Sequence, residues 1–242
     1  MAIDLFCGLG GWSEALLAEG YWVVGFDIER HVYGEHRYPG QLVVQDVLTL
    51  DGAQFKDAAL IVASPPCQEY SYMAMPWSKA KAKAAAIRAD GTGAEKARLN
   101  RLFDACFRIQ REACAAAGRH VPMVVENVRG AQEWVGRARW AYGSFYLWGD
   151  VPALMPPTFK GSKNSGGSRF NIGSPGQKVT NKNPVHEIGR KGVGAGAEWF
   201  DQNLCQWSSK SSARKAASAL IAKIPAPLAR HIAATFYPRP AP

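Results

Sequence analysis

The sequence predicts an α/β fold with a doubly wound, mostly parallel sheet and a small, loop-rich inserted lobe. Three observations lead to this prediction. Short apolar runs alternate with helical patterns through residues 1–150, which is typical of parallel strands covered by helices on both faces. Glycines or polar residues follow several of these runs, at the strand ends where such sheets bind ligands. Residues 151–210 lose the alternation and contain nine glycines.

Each predicted element rests on its local pattern. Apolar runs predict strands over residues 2–6, 21–27, 41–47, 59–64, 121–128 and 144–149. Helical spacing of apolar residues predicts helices over 12–20 and 95–118, which end at Gly20 and Gly118. Helical patterns return over 211–224 and 226–236, with Pro225 between them.

Composition limits the kinds of protein to consider. A chain of 242 residues with 47% apolar residues can form one sizeable domain with a core. No apolar run approaches the ~20 residues that span a bilayer, and the first residues do not resemble an export signal. The five cysteines include no C-x-x-C pair. We therefore expect no membrane segment, no disulfide framework, no metal site and a reducing cytoplasm.

Positive charge is concentrated in two segments. The net charge is +9; residues 151–215 hold ten Lys or Arg against three Asp or Glu, and residues 77–101 hold seven against two. Such a run is often only a solvated face. Two of them favour a polyanionic partner, because basic patches neutralise phosphates.

The first strand ends in a glycine-rich turn. Gly8, Gly10 and Gly11 stand in "DLFCGLGG", where the backbone can approach a ligand and a helix N-terminus begins. The spacing is not G-x-G-x-x-G, so it gives little support to a nicotinamide cofactor, and a simple tight turn is an equal alternative. Asp27 follows the second strand and can accept from ribose hydroxyls or cap a helix. Asp46 follows the third strand and can accept from an adenine amino group.

Two reactive residues follow later strands. Cys67 comes directly after Pro65 and Pro66 in "SPPCQEYS"; it is either a small buried hydrophobe or a thiol held on a stiff loop toward a substrate. Glu126, in "VVENV", is expected at the sheet rim and partly buried. Burial raises the pKa of a carboxyl group, so Glu126 could donate a proton to a ring nitrogen. A lone glutamate at a strand end is more often structural.

Together, "DLFCGLGG", "SPPCQEYS" and "ENV" resemble the signature motifs of the cytosine-C5 methyltransferases, in the family's order over about the first 130 residues. The resemblance implies a Rossmann-like methyltransferase fold with S-adenosyl-L-methionine as cofactor. It places Phe6, Gly8, Gly10 and Gly11 at the methionine end of the cofactor. The adenosine part would lie against Asp27, Ile28 and Asp46.

The resemblance also implies a mechanism. The Cys67 thiolate would attack carbon 6 of a cytosine flipped out of duplex DNA, while Glu126 protonates N3. Pro66 would stiffen the approach of the nucleophile, and Asn127 would hold the surrounding loops. The other four cysteines are expected to be packing residues. Contacts to DNA would come from Gln68 and Ser71, from residues 72–101 and from the lobe at 151–210.

Two family motifs are altered. In place of a Gln-x-Arg-x-Arg motif after "ENV", the chain offers Arg137 and Arg139 as the arginines that would hold the flipped base. The late Gly-Asn motif is missing, and Lys223 stands near its position. A lysine beside the methionine end could alter affinity or favour a more acidic cofactor analogue; the alternative is a solvated lysine.

The resulting expectation is a small bacterial or phage-type DNA (cytosine-5-)-methyltransferase, monomeric and cytoplasmic, of the kind found in restriction-modification. Residues 1–150 would form the catalytic and cofactor-binding domain and residues 151–210 a small target-recognition lobe. Residues 211–242 would form helices that pack back on the catalytic domain. Two alternatives stay open: methylation of cytosine in transfer RNA, and a nucleic-acid-binding protein that has lost turnover.

Overall fold

The computed structural model describes residues 1–71, 77–156 and 212–238. Its strands are β1 Ala2–Leu5, β2 Val23–Asp27, β3 Val32–Tyr33, β4 His36–Arg37, β5 Gln41–Val44, β6 Leu60–Ala63, β7 Met123–Asn127, β8 Trp140–Tyr142 and β9 Phe145–Gly149. Its α-helices are α1 Gly11–Ala18, α2 Trp77–Ala89, α3 Ala94–Ala117, α4 Gln132–Val135, α5 Ser212–Ala222 and α6 Ala226–Phe236. Short 3₁₀ helices span Val47–Thr49, Gly52–Phe55 and Arg129–Ala131.

Seven strands form one sheet in the order β5-β2-β1-β6-β7-β9-β8, and β3 and β4 form a separate hairpin. β1 is parallel to β2 and β6, β2 to β5, and β6 to β7. β9 runs antiparallel to both β7 and β8. The predicted mostly parallel α/β sheet is therefore confirmed. The chain leaves β1, β2, β6 and β7 at the same edge, which brings the sequence motifs together.

Residues of the central strands alternate between two apolar layers, as a sheet buried on both faces requires. One layer joins the sheet to α1 and α6 through Trp12, Leu16, Leu60, Val62, Val124, Leu228 and Ile232. The other joins it to α3 through Ile3, Ile61, Ala63, Phe103, Ile109, Met123 and Val125. The C-terminal helix α6 thus contributes to the same core as the first strand.

The long helix α3 follows its predicted pattern closely. It begins after Gly93 and ends before Gly118, and both glycines have the left-handed backbone conformation common at helix ends. Its buried residues include Leu99, Phe103, Cys106, Ile109 and Ala113. Leu102, three residues after Leu99 on the same helix, is only half-buried.

Several elements differ from the sequence prediction. Residues 77–89, part of the basic stretch expected to contact DNA, form helix α2, because alanine and lysine favour helix and Ala80, Ala84 and Ile87 are buried along one face. The β3–β4 hairpin, α4 and β8 were also not predicted. Of the expected lobe, only residues 151–156 lie within the described residues. In the described part of the chain, no helix is long and apolar enough to cross a membrane.

Candidate active site

The glycine-rich turn connects β1 to α1 in an unusual backbone conformation. Phe6 has φ 58°, Gly8 φ 51° and Gly10 φ 77°. Phe6 is the non-glycine residue with positive φ among the described residues, and strain of this kind is often found at functional sites. A Cβ built on Gly8 would meet no atom within 4 Å, so the turn has open space on that side.

Gly10 and Gly11 face protein rather than open space. A Cβ on Gly10 would lie 2.4 Å from Pro39 Cδ, and one on Gly11 would lie 2.5 Å from the backbone nitrogen of Ile224. Both glycines are therefore needed for close packing of the chain, whatever they contribute to a ligand. Their predicted contact with the cofactor stays a prediction, and Gly8 is the glycine that leaves room for one.

Asp27 ends β2 with its carboxylate directed at the glycine turn. Its Oδ2 accepts from the Gly8 backbone N–H at 2.8 Å, and its Oδ1 accepts from the Ile28 N–H at 2.8 Å. His31 Nε2 lies 3.4 Å from Oδ1. Burial alone would raise the pKa of Asp27, but the hydrogen bonds from His31 and Gly8 outweigh burial and lower it. Asp27 is thus held as a carboxylate.

Ile28 and Asp46 lie beside Asp27 at the carboxyl edge. Ile28 is 70% exposed, so its apolar side chain is available to cover a flat ligand. Asp46 caps the 3₁₀ helix that follows it, since its Oδ1 accepts from the Leu48 N–H at 2.9 Å. One oxygen of Asp46 is therefore already used within the chain.

Cys67 lies on a turn just beyond the end of β6. Its carbonyl accepts from the N–H groups of Tyr70 and Ser71 at 3.0 and 2.9 Å, which closes the turn. The Cys67 side chain is half-buried, and Pro66 beside it is exposed. The Tyr70 hydroxyl donates toward the Leu99 carbonyl at 3.1 Å, so the far end of the turn is anchored on α3.

Glu126 and Asn127 end β7, next to β6. Because Val125 is paired with Ala63, Glu126 lies one residue beyond that pair, at the same edge as the cysteine turn. Glu126 is 3% exposed, more buried than a rim position suggests, and Asn127 is fully buried. Asn127 Nδ2 donates to the Pro65 carbonyl at 3.0 Å. The "ENV" strand is thus bonded directly to the segment that carries Cys67.

The residues predicted to contact DNA are spread along the described chain. Gln68, Arg137 and Arg139 are exposed, and Ser71 is half-buried. Arg137 and Arg139 lie between α4 and β8, where the Arg139 N–H donates to the Leu147 carbonyl. Their roles stay predictions. Gln68 and Ser71 share the turn of Cys67.

Lys223 follows α5 and lies at the base of the glycine turn. A Cβ on Gly11 would come within 2.9 Å of Lys223 Cγ. The Lys223 ammonium pairs with Glu14 on the first turn of α1. Lys223 is therefore close to the turn, but its charge is paired within the chain.

Two groups of contacts near the turn were not predicted. Asp4, buried in β1, accepts a 2.6 Å hydrogen bond from the Ser13 hydroxyl, which lies 2.7 Å from the Tyr38 hydroxyl. Burial, chiefly, raises the pKa of Asp4 to about 7. The Trp12 indole N–H donates to the Ser64 hydroxyl at 3.0 Å. A carboxylate within an apolar strand is a sequence signal for the first group; nothing in the sequence links Trp12 to Ser64.

The remaining cysteines of the described chain differ from Cys67. Cys7 and Cys106 are buried, and burial raises the pKa of both thiols, so they pack as expected. Cys114 is half-buried and lies at the end of α3, far along the chain from the turn. Cys205 lies outside the described residues.

Comparison with known proteins supports a family. Residues 1–85 match the family described as C-5 cytosine-specific DNA methylase, a match that includes the glycine turn, Asp27 and Cys67 and ends before Glu126. No curated protein sequence matches the chain. Similar solved structures include a protein described as a DNA modification methyltransferase encoded within a prophage (E. coli), at 24% identity and a TM-score of 0.35, covering 54% of this chain and 32% of that one.

Two further structures are the Dnmt2 methyltransferase of S. pombe, at a TM-score of 0.33, and the methyltransferase EhMeth of Entamoeba histolytica, at 0.32. Each is 17% identical and covers 56% of this chain. The chain spans only 36% and 40% of their respective lengths. The family match thus covers residues 1–85 of this chain and is to the C-5 cytosine-specific DNA methylase family.

Proposed function

We propose that this protein transfers a methyl group from S-adenosylmethionine to carbon 5 of a cytosine in duplex DNA. The observation that carries the proposal is the convergence of four strand ends. The glycine turn after β1, Asp27 on β2, the Cys67 turn after β6 and Glu126 on β7 lie at one edge of the parallel sheet. The groups that we propose bind the cofactor, attack the base and donate the proton would therefore face one crevice.

The residues at this edge fit the proposed cofactor. Gly8 leaves open space on the turn, and the exposed Ile28 side chain offers an apolar surface for an adenine ring. Asp27 is ionised and can accept from ribose hydroxyls in addition to its backbone donors. The cofactor would supply an electrophilic methyl group on a sulfonium. The chain's part is to orient that methyl group toward the base.

Cys67 would supply the nucleophile. Its thiolate forms a bond to carbon 6 of the cytosine. The electron pair of the 5,6 double bond then forms a double bond between carbons 4 and 5, and the pair of the C4–N3 double bond moves to N3, which takes a proton from Glu126. Carbon 5, now enamine-like, accepts the methyl group. A base, such as a water molecule, then takes the proton from carbon 5, the Cys67 thiolate leaves carbon 6 as the 5,6 double bond forms again, and N3 returns its proton to Glu126. Glu126 must therefore carry a proton when the base arrives.

Asn127 would keep the nucleophile in place during these steps. Its amide holds the Pro65 carbonyl at 3.0 Å, two residues before Cys67, so β7 and the cysteine turn cannot separate without breaking a buried hydrogen bond. Effective catalysis depends on holding reacting groups in such a geometry.

The target base must leave the helical stack, at a cost of a few kcal/mol. Exposed Gln68 lies on the turn of Cys67 and would contact the displaced nucleotide or its neighbours. Lysines on α2 would neutralise phosphates and so offset part of this cost. Duplex DNA, rather than transfer RNA, is favoured by the family match.

The proposal is tested by transfer of radiolabel from methyl-labelled S-adenosylmethionine to unmethylated duplex DNA. Wild type is expected to label 5-methylcytosine, whereas Cys67→Ala and Glu126→Gln give at most traces. Cys114→Ala is the matched control, because it removes another half-buried thiol, and should retain activity.

Transfer RNA is offered as a parallel acceptor, and a 5-fluorocytosine duplex tests for a cofactor-dependent covalent adduct at Cys67. Label on transfer RNA alone would replace the DNA assignment. Binding of DNA without label or adduct, by folded protein that binds the cofactor, would leave a nucleic-acid-binding protein.

A further inference from the structure

The Trp12–Ser64 hydrogen bond joins two parts of the candidate active site that are 52 residues apart in sequence. Trp12 is the second residue of α1, directly after the glycine turn, and is 2% exposed. Ser64 is the first residue after β6 and lies three positions before Cys67. The bond therefore runs from the cofactor turn to the start of the nucleophile's turn.

The Cys67 turn is held at several points, and this bond comes from α1. Ser64 N–H donates to the Leu5 carbonyl at 3.2 Å, extending the pairing of β1 with β6. Asn127 holds the Pro65 carbonyl, and Tyr70 is anchored on α3. These bonds fix the backbone on either side of Cys67. The Ser64 side chain is fixed through Trp12.

We propose that Trp12 is a positioning residue, which sets the placement of Cys67 through Ser64 and relates it to the glycine turn; this inference rests on the proposed function. The buried indole packs with Leu16 and Leu228, so its N–H is directed by a rigid core. An indole N–H in a core needs an acceptor, and Ser64 provides it. Phenylalanine would keep most of the packing but could not hold the Ser64 hydroxyl.

The test measures how fast iodoacetamide alkylates Cys67, read from its peptide by mass spectrometry so that the other cysteines do not contribute. Trp12→Phe and Ser64→Ala each release one end of the bond. Either is expected to raise the alkylation rate about threefold to tenfold, the change that one neutral hydrogen bond can produce, because the half-buried thiol reaches solvent more often. Ser64→Thr keeps the hydroxyl and should stay within about twofold of wild type.

The double variant Trp12→Phe/Ser64→Ala separates this role from a general loss of packing. If one bond carries the effect, the double variant is no faster than either single variant. Trp22→Phe is the matched control, since Trp22 is 69% exposed, and it should leave the rate unchanged. Additive effects in the double variant, or unchanged rates in Ser64→Ala, would overturn the proposal.

Methyl transfer supplies the second readout. Trp12→Phe and Ser64→Ala are expected to lower kcat by a similar factor while the KM for S-adenosylmethionine changes less than about twofold, as for a contact that orients rather than binds. A raised KM with unchanged kcat would assign Trp12 to cofactor binding and overturn the positioning role. Were wild type to transfer no methyl group at all, the proposed function would fail, and the alkylation rates would still decide whether Trp12 positions Cys67.

Discussion

Replacing Asp4 with asparagine should remove a pH dependence from the stability of the fold. Asp4 is 1% exposed, and burial raises its pKa from 3.8 to about 7 despite the hydrogen bond from Ser13. The folded protein therefore binds a proton on Asp4 that the unfolded chain releases above about pH 4. Because the native state binds more protons in this window, its stability falls as the pH rises from about 4 to about 7 and levels off above that.

The size of the effect follows from the shift. About three pKa units correspond to about 4 kcal/mol, as an upper bound for the loss between those two pH values. Asp4→Asn cannot ionise, so its free energy of unfolding should lack this loss. The difference, variant minus wild type, should rise with pH by up to about 4 kcal/mol. Using the difference cancels the contributions of other groups, such as Asp27, whose pKa is lowered.

Urea denaturation followed by circular dichroism, at a series of pH values, measures this difference. Ser13→Ala is a second variant, which should extend the pH dependence rather than remove it. It lacks the 2.6 Å hydrogen bond that stabilises the Asp4 carboxylate, so its free energy of unfolding should go on falling to a higher pH than that of wild type. A difference between Asp4→Asn and wild type that stays constant with pH would refute the reasoning, because it would mean that Asp4 titrates alike in the folded and unfolded chains.

Three further predictions concern packing and the site. Gly52→Ala should lower the free energy of unfolding by about 1–3 kcal/mol, measured by urea denaturation, because the added Cβ would lie 2.3 Å from the Ile109 carbonyl oxygen; an unchanged value would contradict this. Asn127→Ala should lower the free energy of unfolding by about 1–3 kcal/mol, because the buried Pro65 carbonyl loses its donor. The same variant should form the covalent Cys67 adduct with the 5-fluorocytosine duplex more slowly. Adduct formation at the wild-type rate would show that the bond is not needed for positioning. Lys223→Met should weaken the binding of a cofactor analogue with an added carboxylate more than it weakens the binding of S-adenosylmethionine. Titration calorimetry measures both affinities. An equal loss of affinity for the two ligands would mean that the lysine acts only through its ion pair with Glu14 on α1.

The fold, and the strand ends that carry the candidate site, could be predicted because both depend on local patterns. Apolar runs identify the six main strands, and the ends of these runs identify where Asp27 and Glu126 lie. The two strands of the β3–β4 hairpin are two residues long, too short to show an alternating pattern. Helix α2 is rich in alanine and lysine. It buries Ala80, Ala84 and Ile87, but alanines also occupy its exposed positions, so the sequence shows no clear apolar periodicity.

Contacts between distant residues could not be predicted. The Trp12–Ser64 bond joins residues on different elements, and neither residue type indicates its partner. The packing of Pro39 against Gly10 likewise depends on how the hairpin returns toward the sheet. For the three glycines of the turn, the sequence left ligand contact and a simple tight turn as equal explanations. The structure gives Gly10 and Gly11 a further reason, the close approach of other parts of the chain.

Not all charges of the basic segment at residues 77–101 are available for the proposed contact with DNA. Arg88 on α2 forms an ion pair with Glu133, and its Cζ lies 5.8 Å from the centre of the Trp134 ring. Arg88 therefore links α2 to α4. Lys79 on the same helix is exposed and available to a phosphate. Lys79→Ala should therefore weaken DNA binding and reduce the slope of log K against log salt by about 0.9. Arg88→Ala should leave that slope nearly unchanged and instead lower stability. Binding isotherms at several salt concentrations compare the two variants, and equal slopes for both would mean that the ion pair opens when DNA binds.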